Sequence, residues 1–309
     1  RDMTILLSMA IGDAYGAGFE YVPAPIVIAE NDLNGYRQHQ KHLTLKPGCY
    51  TDDTQMTLAL AEFLLSGQSW TPLNLADAFV STFKRDPRPG YAGGFYKLLC
   101  EIQDGTELLR RIVPFSHKNG AAMRAPILGL FKDIPQIFNA ASLQAVITHA
   151  TYTGIESSTA AALMLHYFYY DLGDKDLVGE FLMDQGMGED WDNFKGGFVD
   201  GDGYVTVSAA IDAIRHNDTM ADILKDCVSF TGDVDTVAAI AMACASVSRE
   251  VDQNLPRVLF DYLENGEYGR DYLIGMDEKL QARFPCKKAA PPKPEPEPEG
   301  DDLVNLLGG

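Results

Sequence analysis

Residues 231–247 read Thr-Gly-Asp-Val-Asp-Thr-Val-Ala-Ala-Ile-Ala-Met-Ala-Cys-Ala-Ser-Val, an acidic cluster followed at once by an apolar, Ala-rich run. A second cluster of the same kind, Thr-Asp-Asp-Thr at residues 51–54, precedes another apolar run at residues 55–65. Apolar residues at spacings of three and four predict a helix after each cluster. Because both runs are apolar on most sides, we expect both helices to lie at the centre of the fold.

Helical spacing recurs along most of the chain, and strand-type alternation is nearly absent, which predicts an all-α fold. If the two acidic clusters meet in space, as we expect, residues 1–286 form one compact, orthogonal multi-helix domain. Loops are expected at residues 23–47, 86–94, 184–203 and 266–270. The predicted helices cover residues 4–15, 53–65, 73–83, 95–102, 121–131, 143–149, 156–169, 205–214, 220–228, 235–249 and 256–263.

Residues 287–309 differ from the rest of the chain in composition. They begin with a run of Pro, Glu and Lys that is too polar to pack and too rich in Pro for a helix, so we expect a flexible tail. The tail ends in a short apolar segment at residues 302–307. Two interpretations of this segment stay open: docking on a protein partner or on the domain itself, and a frayed terminus.

Composition excludes several classes of partner. The formal net charge of −19 repels phosphate at long range, so no nucleic-acid partner is expected. The longest apolar helical run, residues 237–247, is too short to span a bilayer, so no membrane partner is expected either. The five cysteines are scattered and form no C-x-x-C pair, which is typical of a reducing compartment and predicts a cytoplasmic protein.

The acidic clusters favour a metal site. If Asp52, Asp53, Asp233 and Asp235 share one small space, unit charges about 4 Å apart repel by roughly 4 kcal/mol at an effective dielectric near 20. Such a group must bind cations or take up protons. Helix capping is the alternative explanation, but a cap needs one side-chain oxygen and each cluster offers two carboxylates plus hydroxyls. Because all the donors are oxygens, two Mg²⁺ (or Mn²⁺) ions fit better than Zn²⁺.

A third segment, residues 12–20, reads Gly-Asp-Ala-Tyr-Gly-Ala-Gly-Phe-Glu. Its small residues allow a close approach of two backbones, and Glu20 falls just past the end of the expected helix. The alternative explanation is a C-capping glycine followed by a solvated glutamate.

These three segments, residues 12–20, 50–54 and 231–236, resemble the signature segments of the ADP-ribosylglycohydrolases in content, order and spacing. The resemblance covers roughly residues 3–265 and leaves out the tail.

Residues 88–92, 119–124 and 147–149 are also similar to segments of that family. The chain departs from the family's pattern at Gly18-Phe19, at Ala92 and at Tyr152, and these departures leave the acidic clusters intact.

The resemblance implies an all-helical fold with a binuclear magnesium or manganese centre at helix N-termini. Glu20 falls where the family has a glutamate near the scissile bond or gating the metal site. We predict Glu20, Asp52 and Asp233 as catalytic residues, and leave open whether Glu20 acts as acid or base. The implied metal ligands are Thr51, Asp52, Asp53, Asp233, Asp235 and Thr236.

A second set of residues is predicted to bind the substrate. The Asn119-Gly120 turn is expected to open an Ala-rich helix and offer backbone N–H groups to a pyrophosphate. An ordinary turn with a solvated Arg124 is the alternative explanation. Tyr91 would stack on adenine or ribose unless it is a core tyrosine, and His149 is otherwise a core or capping histidine. The full set is Tyr91, Asn119, Gly120, Met123, Arg124 and His149.

The implied function is a hydrolase that removes ADP-ribose from a modified protein side chain, first of all ADP-ribosyl-arginine, by metal-assisted cleavage of the glycosidic bond. The expected partners are an ADP-ribosylated protein and ADP-ribose. Three alternatives stay open: a hydrolase of ADP-ribosyl-serine or another ADP-ribose conjugate, a binding or immunity protein that neutralises an ADP-ribosyltransferase, and a two-metal hydrolase of phosphoesters.

Overall fold

The computed structural model describes residues 1–286, whose regular structure consists of fourteen α-helices, two 3-10 helices at Pro126–Leu130 and Lys175–Leu177, and isolated β-bridges. The predicted all-α fold is confirmed. The docking role predicted for residues 287–309 lies outside the described residues, and the domain boundary at residue 286 stays a prediction.

None of the helices within residues 1–286 is both long enough and apolar enough to cross a bilayer. The α-helices are α1 Ile5–Ala17, α2 Ala24–Glu30, α3 Asp52–Ser66, α4 Pro72–Arg85, α5 Gly93–Glu101, α6 Gly105–Arg111, α7 Ile134–Val146, α8 Tyr152–Tyr169, α9 Val178–Asp184, α10 Gly203–His216, α11 Met220–Ser229, α12 Val234–Ala245, α13 Arg257–Asp261 and α14 Arg270–Arg283.

The helices α1 and α12 pack against each other at the centre of the fold. Every residue of α12 is buried, as is every residue of α1 except Leu7. A Cβ atom at Gly12 of α1 would lie 2.6 Å from Cγ of Met242 and 2.7 Å from the carbonyl oxygen of Ala238. The two backbones therefore touch at a position where only glycine fits.

Several helix boundaries differ from the prediction. Residues 121–131 form turns and a 3-10 helix instead of an α-helix, because Pro126 has no N–H group to donate. The helix α7 begins at Ile134 rather than at residue 143, and α12 ends at Ala245 rather than at residue 249.

Four helices are not predicted by the pattern. The helix α2 lies inside the segment expected to be a loop, and α2, α6 and α9 have 7 residues each, too few for a clear period. The helix α14 buries only Leu273, Met276, Asp277 and Leu280, so its apolar stripe is weak in sequence.

Asp277 of α14 binds the N-terminus of α1. Its carboxylate accepts the backbone N–H groups of Leu6 at 2.9 Å and Leu7 at 3.1 Å, which have no partner within their own helix. Burial raises the pKa of Asp277 to about 7, although the hydrogen bonds from the α1 backbone oppose the shift. The folded state therefore holds this proton more tightly than the unfolded chain does.

The Asp277 proton gives a testable pH dependence. We expect the wild type to lose stability relative to Asp277→Asn as the pH rises from about 4 to about 7, because the folded-state pKa lies above the unfolded value. Above pH 7 the difference in free energy of unfolding should be constant. Urea unfolding of both proteins across this pH range measures it, and a difference that does not change with pH would contradict the prediction.

A pair of glycine substitutions tests the contact between α1 and α12. Gly12→Ala should destabilise the protein by about 1–3 kcal/mol, because its methyl group overlaps α12. Gly275→Ala is the matched control: a Cβ atom at this position in α14 meets nothing within 4 Å, and the change should stabilise the helix by about 0.5–1 kcal/mol. Denaturant unfolding distinguishes the two, and equal effects would refute a tight contact at Gly12.

Candidate active site

The three acidic segments meet where α1, α3 and α12 converge. A Cβ atom at Gly16 would lie 2.5 Å from Cα of Asp235, so glycine lets α1 reach the first turn of α12. Asp13, one turn earlier on α1, then lies beside Asp53 and Asp235, and the three carboxylates each place an oxygen within 4.8 Å of the others.

A second group of carboxylates shares Asp235 with the first. Glu20, Asp233 and Asp235 also place oxygens within 4.8 Å of one another. The structure therefore brings Asp53 of the first acidic cluster beside Asp235 of the second, which lies far away in sequence, and adds Asp13, whereas Asp52 belongs to neither group.

Asp13 holds the N-terminus of α3. Its carboxylate accepts the backbone N–H groups of Thr51 at 2.9 Å and Thr54 at 3.1 Å, and both threonine hydroxyls at 2.7 Å. Both oxygens of Asp13 are used in this way, so Asp13 orients Thr51 and α3 rather than offering a free oxygen to a cation. Burial raises the pKa of Asp13 to about 6, against the effect of these hydrogen bonds.

Two buried carboxylate oxygens in the cluster have no hydrogen-bond partner among the described residues, Oδ1 of Asp53 and Oδ1 of Asp235. The residues are only 1% and 4% exposed. Burial raises the pKa of both carboxyls well above the usual range, and the charges of Asp13 on Asp53 and of Glu20 on Asp235 raise it further. An unpaired buried carboxylate oxygen is costly, so the cluster lacks a positive partner.

The donor set fits a hard divalent cation. The cluster offers oxygens only, and two of them are buried and have no hydrogen-bond partner among the described residues. The hydroxyl of Thr51 lies 3.1 Å from Oδ2 of Asp53, and that of Thr236 lies 3.2 Å from Oδ1 of Asp233. Burial raises the pKa of Asp52 as well, with Asp13 and Glu20 adding to the shift. A cation among these oxygens removes the repulsion that otherwise drives them to bind protons.

Asp233 is positioned by Asn119. The side-chain amide of Asn119 donates to Oδ2 of Asp233 at 2.7 Å and to the hydroxyl of Thr206 at 3.0 Å. The side chain predicted to bind substrate is thus engaged in holding an acidic residue. Its predicted contact with substrate stays a prediction.

A strained turn links Glu20 to Asp233. Tyr21 and Thr231 both have positive φ angles, 55° and 68°, which are unfavourable for residues with a side chain. The N–H group of Tyr21 donates to the carbonyl oxygen of Gly232 at 2.8 Å, so the residue after Glu20 is tied to the residue before Asp233. Such strain persists only where the surrounding structure enforces it.

Residues 199–203, expected to be part of a loop, form a short connecting segment. Val199 accepts the N–H of Asp233 at 2.9 Å and donates to the carbonyl of Thr231 at 3.0 Å. Two residues further on, the carbonyl of Gly201 accepts the N–H of Asn119 at 2.9 Å. This segment therefore joins the Asn119 turn to the second acidic cluster.

The carboxylate of Glu20 is held by His39, a residue in the segment between α2 and α3. Oε2 of Glu20 lies 2.6 Å from Nε2 of His39. The His39 side chain is 4% exposed and that of Glu20 is 20% exposed. Glu20 therefore has one oxygen fixed from behind, and its side chain still reaches solvent.

Glu20 and the four aspartates of the two acidic clusters line a cleft of about 620 Å³, a size common for small-molecule sites. Every predicted site residue except Thr51 lines it. Its lining also includes the cationic side chains Arg111 and Lys118, together with the buried Arg124. The predicted residues at the cleft are Glu20, Asp52, Asp53, Tyr91, Asn119, Gly120, Met123, Arg124, His149, Asp233, Asp235 and Thr236.

One wall of the cleft is the loop that carries Gly90 and Tyr91. Arg88 fixes this loop through ion pairs with Asp86 and Glu264, and its guanidinium stacks on a tyrosine ring, that of Tyr50, at 3.6 Å. Gly90 has a φ angle of 119°, and a Cβ atom there would lie 2.7 Å from Oδ1 of Asp52. The loop is thus pressed against the first acidic cluster.

Tyr91 is mostly a core residue. It is 5% exposed, and its hydroxyl donates to Oε1 of Gln55 at 2.6 Å. Part of the residue still lines the cleft. Its stacking on substrate stays a prediction.

The Asn119-Gly120 turn does not open an α-helix, so the predicted helix dipole is absent at this point among the described residues. A Cβ atom at Gly120 would lie 2.7 Å from Cε1 of His149, so the backbone lies directly on this ring. Arg124 is buried rather than solvated and donates to the hydroxyl of Thr148 at 2.8 Å, which in turn lies 2.6 Å from Nδ1 of His149. Burial, aided by the charge of Arg124, lowers the pKa of His149 to about 3, so the ring is neutral.

Sequence reasoning missed several residues of the site, among them Asp13, Tyr21, His39, Lys118 and Asp200. Asp13 could have been found, because it is the second carboxylate of segment 12–20 besides Glu20. Nothing in the sequence pattern marks His39 or the strained Tyr21.

Comparison with known proteins identifies the family of the chain. The family described as ADP-ribosylglycohydrolase matches residues 3–289, and the chain belongs to this family. The chain is 30% identical over 179 residues to the ADP-ribosylhydrolase ARH3 of Homo sapiens, a match that covers 52% of this chain and 48% of that protein. It thus spans about half the length of that relative. Over 268 residues it is 26% identical to the ADP-ribosyl-[dinitrogen reductase] glycohydrolase of Rhodospirillum rubrum, covering 82% of this chain and 86% of that one.

A solved structure has the same fold. The ADP-ribosylglycohydrolase-related protein complex superposes with a TM-score of 0.69 at 22% sequence identity, covering 90% of this chain and 95% of its own. At this identity the likeness concerns the fold alone.

The unpaired carboxylates predict that Asp235→Asn raises the unfolding temperature without metal and weakens the stabilisation that metal gives. In EDTA, Asp235→Asn should unfold at a higher temperature than the wild type, because it removes a buried charge from a repelling group. With millimolar Mg²⁺ or Mn²⁺ the wild type should gain stability and the variant should gain much less.

Asp2→Asn, which removes an exposed charge outside the cluster, is the control and should behave like the wild type in both conditions. Thermal unfolding measures all three proteins. Equal stabilisation of the wild type and Asp235→Asn by the cation would refute a metal site at Asp235.

Proposed function

We propose that the protein is a hydrolase that removes ADP-ribose from a modified protein side chain, most simply from arginine, with the help of Mg²⁺ or Mn²⁺. Membership of the ADP-ribosylglycohydrolase family supports the class of reaction. The observation that carries the proposal is the pair of buried, unpaired oxygens of Asp53 and Asp235 on the wall of an open cleft. Carboxylates arranged in this way suit a site where a cation and a substrate meet.

In this proposal, the residues that would hold the metal are Thr51, Asp52, Asp53, Asp233, Asp235 and Thr236. When bound, the metal would supply positive charge beside the ribose and lower the pKa of water. Glu20 would orient the attacking water and take up its proton, because its carboxylate stands beside Asp233 and Asp235 and the residue lines the cleft. The water oxygen would bond to the anomeric carbon while the bond from that carbon to the side-chain nitrogen breaks, and Glu20 would pass the proton on to the leaving nitrogen.

The diphosphate is placed against the Asn119-Gly120 turn. Lys118 is the exposed cation next to this turn, and the backbone of Gly120 is open to close approach because it has no side chain. The ring of His149, which packs against Gly120, is neutral, so it shapes this part of the cleft without adding positive charge. In a chain with a net charge of −19, these local groups must supply the attraction for phosphate.

Two carboxylates of the cleft favour arginine as the modified residue. Glu20 and Asp200 both line the cleft, and carboxylates attract a guanidinium group. A serine hydroxyl gains nothing comparable from them. A purely binding or immunity role fits the site less well, since a binder has no need of unpaired buried carboxylates.

The direct test is release of ADP-ribose from a modified protein. Asp52→Asn and Asp235→Asn should each lower kcat/KM by about 100-fold or more, because they remove charge worth several kcal/mol to the transition state. The wild type should lose activity in EDTA and regain it with Mg²⁺. Asp2→Asn serves as the control, and full activity of both acidic-site variants, or activity in EDTA, would reject the mechanism.

The linkage is tested separately with defined peptides. ADP-ribosyl-arginine and ADP-ribosyl-serine peptides are compared side by side, and a higher kcat/KM for the arginine peptide is expected. A preference for the serine peptide would keep the hydrolase and correct its substrate. Turnover of a generic phosphoester in place of both would favour the phosphoesterase alternative.

A further inference from the structure

We infer that His39 is a positioning residue for Glu20: its neutral imidazole donates from Nε2 to Oε2 of Glu20 and so leaves the other carboxylate oxygen directed for chemistry. This inference rests on the proposed function and deepens it. No signature segment of the sequence contains His39.

The surroundings of His39 fix its tautomer. Nδ1 of His39 lies 3.0 Å from the backbone N–H nitrogen of Lys41 and 2.9 Å from that of His42, and both of these groups can only donate. Nδ1 must therefore be the acceptor, and the ring proton sits on Nε2. Nε2 faces Oε2 of Glu20 at 2.6 Å, which makes the imidazole the donor and the carboxylate the acceptor.

Neighbouring side chains hold the same end of α1. Arg37 donates to the carbonyl oxygen of Gly18 at 2.8 Å, and Gln40 donates to that of Glu20 at 2.9 Å. Gln38 closes the segment on itself by donating to the carbonyl of Leu45 at 2.8 Å. The segment from Arg37 to His42 thus forms hydrogen bonds with both the backbone and the side chain of Glu20.

These hydrogen bonds are needed to hold the Glu20 side chain in place, because it lies beside other carboxylates. Asp233 and Asp235 place oxygens within 4.8 Å of it and repel its carboxylate. With a flexible side chain and 20% exposure, Glu20 would otherwise turn toward solvent. The hydrogen bond from His39 keeps it over the cleft, as outer-shell partners do for the ligands and bases of metal enzymes.

Matched variants separate positioning from folding. His39→Leu should lower kcat about 10- to 100-fold, the usual effect of losing such a partner, with a KM within about twofold of wild type. His39→Gln should recover most of the loss, because its amide nitrogen can donate from near the place of Nε2. The control is His42→Leu, whose ring stacks on that of His39 at 4.7 Å without bonding Glu20, and it should keep kcat within about twofold.

A double variant tests whether His39 acts through Glu20. In the Glu20→Gln background, His39→Leu should change kcat by less than about twofold, because the residue it positions is already impaired. A full additional loss would show that His39 acts elsewhere and would overturn the inference. Equal losses in His39→Leu and His42→Leu would do the same. Inactive wild-type protein, in contrast, would reject the proposed function itself.

Nitrogen-15 NMR of the imidazole gives a readout independent of turnover. In the metal-free protein at pH 7, His39 should show an unprotonated Nδ1 and a protonated Nε2. The Nε2 signal should shift on Glu20→Gln and should not shift on Asp2→Asn. A proton on Nδ1, or an Nε2 signal indifferent to Glu20→Gln, would overturn the inference.

Discussion

The contact between α1 and α12 is the constraint on which the site depends. Gly12 and Gly16 let the two most buried helices touch along their backbones, and a side chain at either position would overlap the partner helix. Asp13 and Glu20 come from the α1 segment, whereas Asp233 and Asp235 come from the start of α12. If the two helices were separated by one methyl group, the oxygens could not gather within a few ångströms.

The gathered charges oppose the stability of the fold around them. Buried hydrophobic helices supply the free energy that holds Asp53 and Asp235 together in spite of their repulsion and their loss of hydration. Asp13 shows how the structure limits the cost, because both its oxygens accept hydrogen bonds from the N–H groups and hydroxyls of Thr51 and Thr54 at the start of α3. Oδ1 of Asp53 and Oδ1 of Asp235 have no such partner among the described residues. The fold therefore surrounds a group of carboxylates whose oxygens are the donors that a cation requires.

Much of this could be predicted from sequence, because the relevant signals are local or periodic. The spacing of apolar residues predicts the all-α class and the central position of α12. The clusters at residues 51–54 and 231–236 can be recognised because each has more carboxylates than helix capping requires. The conformation of residues 119–124 was harder to predict, since the apolar spacing indicates a helix there and Pro126, which has no N–H group, prevents it. His39 could not be found, because its role arises from a hydrogen bond across 19 residues that no periodicity encodes.

Residues 199–203 bridge two parts of the site that different helices provide. Through Val199 and Gly201, main-chain hydrogen bonds join the second acidic cluster to the turn at Asn119. A single residue inserted between Val199 and Gly201 would shift the turn at Asn119 against the second acidic cluster. Proteins that keep this arrangement of the two parts should therefore keep the length of the segment that joins them.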